Sequence, residues 1–227
     1  MLYFFMSYAH GEDDPYVVQL FRDLCAEVRI QVGEDRHRPV GFQDSDNIRV
    51  GSVWPPELVD AVATARTFVP LYSPRYFRSE YCGKEWSLFA WRMAADEHRT
   101  GQRASVLIPL LWVSAVIPNH LADIQHGDPS FGAAYAAHGA RELVRMRETK
   151  HHDAYLEFVT AVAVRIREAA AEHAIPPLTG RHDLRTIPNA FDTPAAGSSP
   201  RPNLPSQPPG IPARRSRPIL RYGTDNT

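Results

Sequence analysis

Ser79-Glu80-Tyr81-Cys82-Gly83-Lys84-Glu85-Trp86 is the stretch on which the reading of this chain turns. With Phe89 and Met93 it forms an amphipathic pattern at helical spacing. Four residues separate Tyr81 from Glu85, so a ring and a carboxylate project from the same side, one helical turn apart. A carboxylate beside a ring suits a positively charged sugar transition state with a base stacked nearby. At about 100° per residue the inward stripe is Cys82, Trp86, Phe89 and Met93. Glu85 then falls roughly 70° from the centre of that stripe, which places it at the boundary between core and solvent.

The segments on either side alternate between strand and helix. Residues 67–72 read as a buried strand, and Ser73-Pro74 opens a helix that runs to about residue 97. Upstream, residues 2–8 form an apolar run bounded by Gly11 and acids. Asp14-Pro15 is a helix start followed by Val17, Leu20, Phe21, Leu24 and Val28 at helical spacing. Residues 39–44 are a second strand, 45–55 a polar loop, and 56–65 a helix with Leu58, Val59 and Val62 inward. Downstream, residues 104–112 read as a fourth strand, 123–126 as a fifth at the edge, and 139–146 as a short helix. Residues 153–173 form the clearest late helix, with Leu156, Val159, Val162, Val164 and Ile166 mostly on one face. This order predicts an α/β fold, a parallel sheet covered on both faces.

Composition sets the outer limits. The chain has 227 residues, 44% of them apolar, enough for a sizeable core, and a formal net charge of −1 that gives no pull toward nucleic acid or an acidic membrane. Lys84 and Lys150 are the only lysines. Cys25 and Cys82 form neither a disulfide framework nor a metal-ligand pair, which fits a reducing compartment. Residues 1–8 lack the basic start of a signal peptide, and the apolar run at 106–117 is too short to span a bilayer, so the expected location is cytoplasmic. From residue 176 onward lie 11 of the 20 prolines, with seven arginines against three aspartates and few large apolar residues. Such a stretch buries too little surface to offset its ordering entropy, and residues 176–227 are expected to be a disordered tail after a domain spanning 1–175. Its Arg214-Arg215-Ser216-Arg217 cluster either touches an acidic partner or, the reading preferred, solubilises the tail.

Three blocks, in order, resemble the TIR family. Phe4-Phe5-Met6-Ser7-Tyr8 is similar to the family's first strand, which ends in Ser-Tyr or Ser-Phe. Phe42-Gln43-Asp44 with Ile48, Gly51, Trp54, Leu58 and Ala61 is similar to its second strand, BB loop and following helix. Ser73, Tyr76, Ser79, Tyr81-Cys82 and Glu85 are similar to its S-x-x-Y-x-x-S-x-W-C-x-x-E pattern. The blocks cover residues 2–112. Cys-Gly-Lys-Glu-Trp and Leu-Tyr-Ser-Pro-Arg-Tyr-Phe further resemble the FxsC type of bacterial TIR-like protein, encoded beside short peptides ending in Phe-x-Ser. The resemblance implies a flavodoxin-like three-layer sandwich with a central parallel sheet of about five strands.

It also implies two classes of function. Some TIR domains cleave NAD between nicotinamide and ribose; others are self-associating adaptors. NAD would be a substrate here, not a resident cofactor, and Glu85 matches the family's catalytic glutamate. Tyr8, Ala9, His10, Asp44, Trp54 and Tyr81 are the candidate substrate-binding positions. Tyr8 lies at the carboxyl end of the first strand, where open α/β sheets bind ligands. Tyr81 stands where the family often has Trp, to stack on substrate or to pack. Ala9-His10 replaces the arginine some members carry, leaving phosphate binding to His10 or Arg49. Asp44 either bonds ribose or starts a turn. Trp54 either caps the cleft or a neighbouring subunit, or anchors the loop onto its own domain, the reading preferred. Ser45, Asp46, Asn47, Ile48, Arg49, Val50 and Gly51 form the expected interaction loop, with Gly51 permitting a left-handed backbone. Self-association is the expected partnership, with other proteins as further partners and neither nucleic acid nor membrane. His151-His152-Asp153 reads as a solvated helix cap, and no metal site is expected. The rival reading is a non-catalytic docking module, serving a ribosomal peptide-maturation system.

Overall fold

The computed structural model describes residues 2–11, 13–43, 56–121, 128–178 and 186–192. β1 (Phe4–Ser7) leads into α1 (Asp14–Val32), β2 (Gly41–Gln43), α2 (Pro56–Thr64), β3 (Thr67–Tyr72) and α3 (Glu80–Thr100). β4 (Leu110–Leu111), α4 (Ala133–Arg145) and α5 (His152–Glu172) follow. Among the described residues the sheet has four strands, all parallel, in the order β2-β1-β3-β4. The strand expected at 123–126 lies outside the described residues. This is the expected three-layer α/β arrangement, and the order reverses direction between β1 and β3.

Alternation along β1 builds both layers. Phe4 and Met6 enter one core with Leu20, Leu24, Tyr155, Phe158 and Val162, supplied by α1 and α5. Phe5 enters the other with Leu58, Phe68 and Phe89, supplied by α2, β3 and α3. Period-two alternation makes this division unavoidable once the strand is central. Phe42, Phe5 and Phe68 stack across three adjacent strands, with centroids 5.7 and 5.8 Å apart, and Phe68 stacks onto Phe89 of α3 at 5.0 Å.

Several elements differ from their sequence reading. Ser73 does not open the long helix. It accepts the Tyr76 N–H at 3.0 Å and caps a short 3-10 turn, Tyr76–Arg78, and α3 starts only after Ser79 accepts the Cys82 N–H at 3.3 Å. The fourth strand pairs in two pieces, a bridge at Leu107 and the ladder at β4, because Pro109 has no N–H to give. On α5 the buried face runs through Tyr155, Phe158, Val162 and Ile166, leaving Leu156 52% exposed. α4 begins six residues before the expected start and breaks at Gly139, whose φ of 74° and ψ of 168° suit glycine alone. That break lets the Arg141 N–H reach the Trp112 carbonyl at 3.1 Å.

Beyond α5 the chain turns back over α2 and α3. The buried Arg92 guanidinium donates to the carbonyls of Val62 (2.8 Å), Ala65 (2.7 Å), Pro176 (3.2 Å) and Ile175 (3.4 Å). Burial lowers its pKa to about 10, so it stays a cation at neutral pH. The Leu178 N–H reaches Ala63 O at 3.1 Å. Ile187 and Phe191, 3% and 9% exposed, then enter the α2–α3 core. The expected boundary at 175 therefore does not separate packed from unpacked chain. Of the residues expected in the tail, 176–178 and 186–192 are described, and Ile187 and Phe191 are its large apolar side chains buried in this core.

Gly139→Ala is expected to destabilise the protein by about 1–3 kcal/mol, since the new Cβ adds strain to that backbone. It would also lie 3.0 and 3.1 Å from the carbonyl oxygens of Trp112 and Leu111. Gly33→Ala, at a positive φ with nothing within 4 Å, is expected to cost less. Thermal melts of the two variants check the order.

Candidate active site

Ser7 ends β1 on the α3 side of the sheet, two residues after Phe5. Its hydroxyl donates to Glu85 Oε2. Tyr76 Oη lies 3.1 Å from the same Ser7 oxygen, and with the Ser7 proton already committed, the phenol is the donor. A relay thus runs from the Tyr76 phenol through Ser7 to the Glu85 carboxylate. Burial pushes the Tyr76 phenol and the Cys82 thiol well up, and the nearby Glu85 charge adds to both shifts. Both therefore stay neutral around the carboxylate.

Glu85 is 5% exposed, not at the core–solvent boundary expected from the helical wheel. The reason lies in the width of α3's buried surface. Leu88, Arg92 and Asp96 are buried beside Cys82, Trp86, Phe89 and Met93, which brings Glu85 well inside the stripe. Gly83 and Ser87, on the far side of the helix, are buried as well, by residues 186–192.

A cleft of about 510 Å³ opens where β1, β3 and β4 end. Tyr8 and Ala9 line it from β1, Arg75 and Arg78 from the link between β3 and α3, and Trp112 from the end of β4. This is the crevice beside the reversal in strand order, where open α/β sheets take their ligands. Asp13 and Arg141 close one wall. Arg141 Nε donates to Asp13 Oδ2 at 2.7 Å, and Trp112 Nε1 donates to the same oxygen at 3.1 Å. The Arg141 hydrogen bond, aided by that from Trp112, holds the Asp13 pKa below its ordinary 3.8.

The expected site residues divide between these two places. Tyr8 and Ala9 line the cleft, and Glu85 lies on the opposite side of the sheet from α1 and α4, bonded to the residue that precedes them. His10 lies beside the cleft, with Nδ1 3.1 Å from the Tyr8 hydroxyl and 3.3 Å from Asp14 Oδ2. Tyr81 packs half-buried against the α2–α3 core, the second of its two readings. Asp44, the loop residues Ser45 to Gly51 and Trp54 lie outside the described residues. Sequence reasoning assigned no role to Ser7, Tyr76, Asp13, Arg75, Arg78, Trp112 or Arg141. Ser7 and Tyr76 lay within the quoted motifs, whereas nothing along the chain linked Asp13 to Arg141. His151, expected in solvent, is buried against the His138 ring at 5.2 Å, while His152 is exposed and bonds the Arg147 carbonyl. Among the described residues no helix is long and apolar enough to cross a membrane, and no three His, Cys, Asp or Glu side chains gather as a metal site.

Asp13→Asn is expected to weaken the fold at neutral pH, and its deficit should shrink under acid. A depressed carboxylate pKa contributes stability above the unfolded value that disappears as pH falls through the folded one. Urea midpoints of both proteins at about pH 7 and about pH 3 test this sign.

Comparison with known proteins adds the family. No curated protein matches the chain. Among solved structures, the TIR domain of the Toll-related receptor TRR-2 from Hydra magnipapillata is 16% identical, covering 56% of this chain and 82% of its own, at a TM-score of 0.36. The TIR domains of the activated Roq1 resistosome, which directly recognises the pathogen effector XopQ, are 17% identical, covering 76% and 82%, at a TM-score of 0.29. A sequence model of the TIR domain matches residues 4–144. With more than half its length inside that match, and a parallel α/β sheet carrying the motif residues, the chain belongs to the TIR domain family.

Proposed function

We propose that this TIR domain is a cytoplasmic signalling or defence module that cleaves NAD at the nicotinamide–ribose bond, with Glu85 as the essential carboxylate. One observation carries the reading: the buried Glu85 is hydrogen-bonded to Ser7, the residue from which the chain passes as Tyr8 and Ala9 into the cleft. A carboxylate kept out of water needs a reason, and buried acids in or beside clefts are functional candidates.

The chemistry asks little of such a site. Nicotinamide in NAD is a cationic pyridinium and departs neutral, so no acid is needed to protonate it. One carboxylate then suffices where glycosidases generally use two. Its negative charge stabilises the oxocarbenium-like ribose as the bond breaks. Arg75 and Arg78 provide positive charge for the diphosphate, the role that Ala9 cannot fill. Tyr8, whose ring packs against that of His10, lines the cleft beside these arginines. Self-association through TIR surfaces belongs to the same reading, and activity then rises with protein concentration.

A specific observation favours the rival. Glu85 is not among the residues lining the cleft, as expected for a docking module whose carboxylate only braces α3. Such a module could serve peptide maturation.

Nicotinamide release by the full chain, followed across protein concentrations, decides between them. The wild type should release it, and Glu85→Gln should lose at least about 100-fold in rate. Arg75→Ala with Arg78→Ala should raise KM more than it lowers kcat. No release at any concentration, or equal release by wild type and Glu85→Gln, would sink the enzymatic reading.

A further inference from the structure

We propose that the outer face of α3 is a docking groove that reads the segment Ile187-Pro188-Asn189-Ala190-Phe191, and that a second copy of this chain supplies that segment when copies exchange it. The proposal concerns self-association alone and stands whether or not NAD is cleaved.

The groove fits this segment in three ways. A notch lies at Gly83, where any Cβ would overlap the Asn189 side-chain oxygen, so glycine on the helix and asparagine on the segment fit each other. Beside it, Phe191 packs against Tyr76 and Phe77, each with ring centroids 5.3 Å away. Polar bonds then set the register. The Ser87 hydroxyl donates to the Pro188 carbonyl at 2.8 Å, and the Ala190 N–H donates to the Gly83 carbonyl at 3.2 Å. From the other flank, His120 Nε2 donates to the Ala190 carbonyl at 2.7 Å.

The segment has the character of a bound peptide. It joins no sheet ladder and holds its own shape: Asn189 Oδ1 accepts the Phe191 N–H at 3.0 Å, and Asn189 Nδ2 donates to Asp192 at 2.8 Å. Residues 179–185 link it to Leu178, whose N–H is bonded to Ala63. The notch and the ring pocket are complementary to Asn189 and Phe191, the polar bonds fix their register, and every other copy of the chain carries the same segment. Exchange preserves each of these contacts while making them between copies, which is the low-cost route to a symmetric dimer. Tethering gives the chain's own segment a local concentration of order millimolar, so dilute protein keeps it in place.

Complementation between two full-length variants tests this. Gly83→Ala closes the notch and leaves α3 a better helix. Asn189→Ala with Phe191→Ala disables the segment. In sedimentation velocity each variant alone should stay monomeric, and their mixture should form a 1:1 complex, the intact segment of one seated in the intact groove of the other. Wild type should dimerise only at high concentration. A mixture that sediments as unmixed monomers, with both variants showing wild-type circular dichroism, overturns the proposal. If either variant fails to fold, a fluorescent peptide of residues 184–194 added to wild type replaces it. Binding that is lost when the peptide carries both alanines supports the groove, and no binding at millimolar peptide overturns it.

Discussion

The hydrogen bond from Ser7 to Glu85 is the contact around which one face of this sheet is organised. A carboxylate removed from water must be given donors, or its burial costs several kcal/mol (about 2–7 for even a neutral polar group). Ser7 is such a donor, and only because β1's alternation turns it toward α3 after Phe5. The bond thereby fixes where α3 lies along β1, which in turn sets Cys82, Trp86 and Phe89 into the core beside Phe5 and Phe68. Tyr76 completes the polar line from a separate turn, so the link between β3 and α3 is held as well.

The layers could be read from the sequence because they rest on local periodicity. Short apolar runs at β1 and β3 and the helical spacing of α1 and α5 are properties of neighbouring residues. The position of Glu85 was misjudged for a nonlocal reason. The buried stripe of α3 is widened on its side by Leu88, Arg92 and Asp96. Arg92 enters the core because carbonyls of α2, the turn into β3 and the chain beyond α5 accept its hydrogen bonds, which a helical wheel does not contain. The cleft was legible only in part. Tyr8 follows from the rule about strand ends, but the meeting of Asp13, Trp112 and Arg141 requires α4 to break at Gly139 and bring its second half to the end of β4. Nothing in the spacing of those residues encodes it.

Arg92 shows how the α2–α3 layer is closed without an acid. Its four carbonyl acceptors come from the end of α2, the turn into β3 and the chain beyond α5. Carbonyls at a helix end carry partial negative charge, so α2 itself supplies part of the counter-charge. The cation gathers chain ends that would otherwise leave unpaired oxygens in the core.

The two thiols have a consequence of their own. Burial raises Cys25 to about 12 and Cys82 well above its ordinary value, which disfavours the thiolate at both, and Cys82 is buried while Cys25 is half-buried. One belongs to the helical layer of α1 and α5, the other to that of α2 and α3. The buried Cys82 therefore gives the α2–α3 layer an intrinsic alkylation clock: uptake of a thiol reagent there times the loosening of that layer without any introduced label.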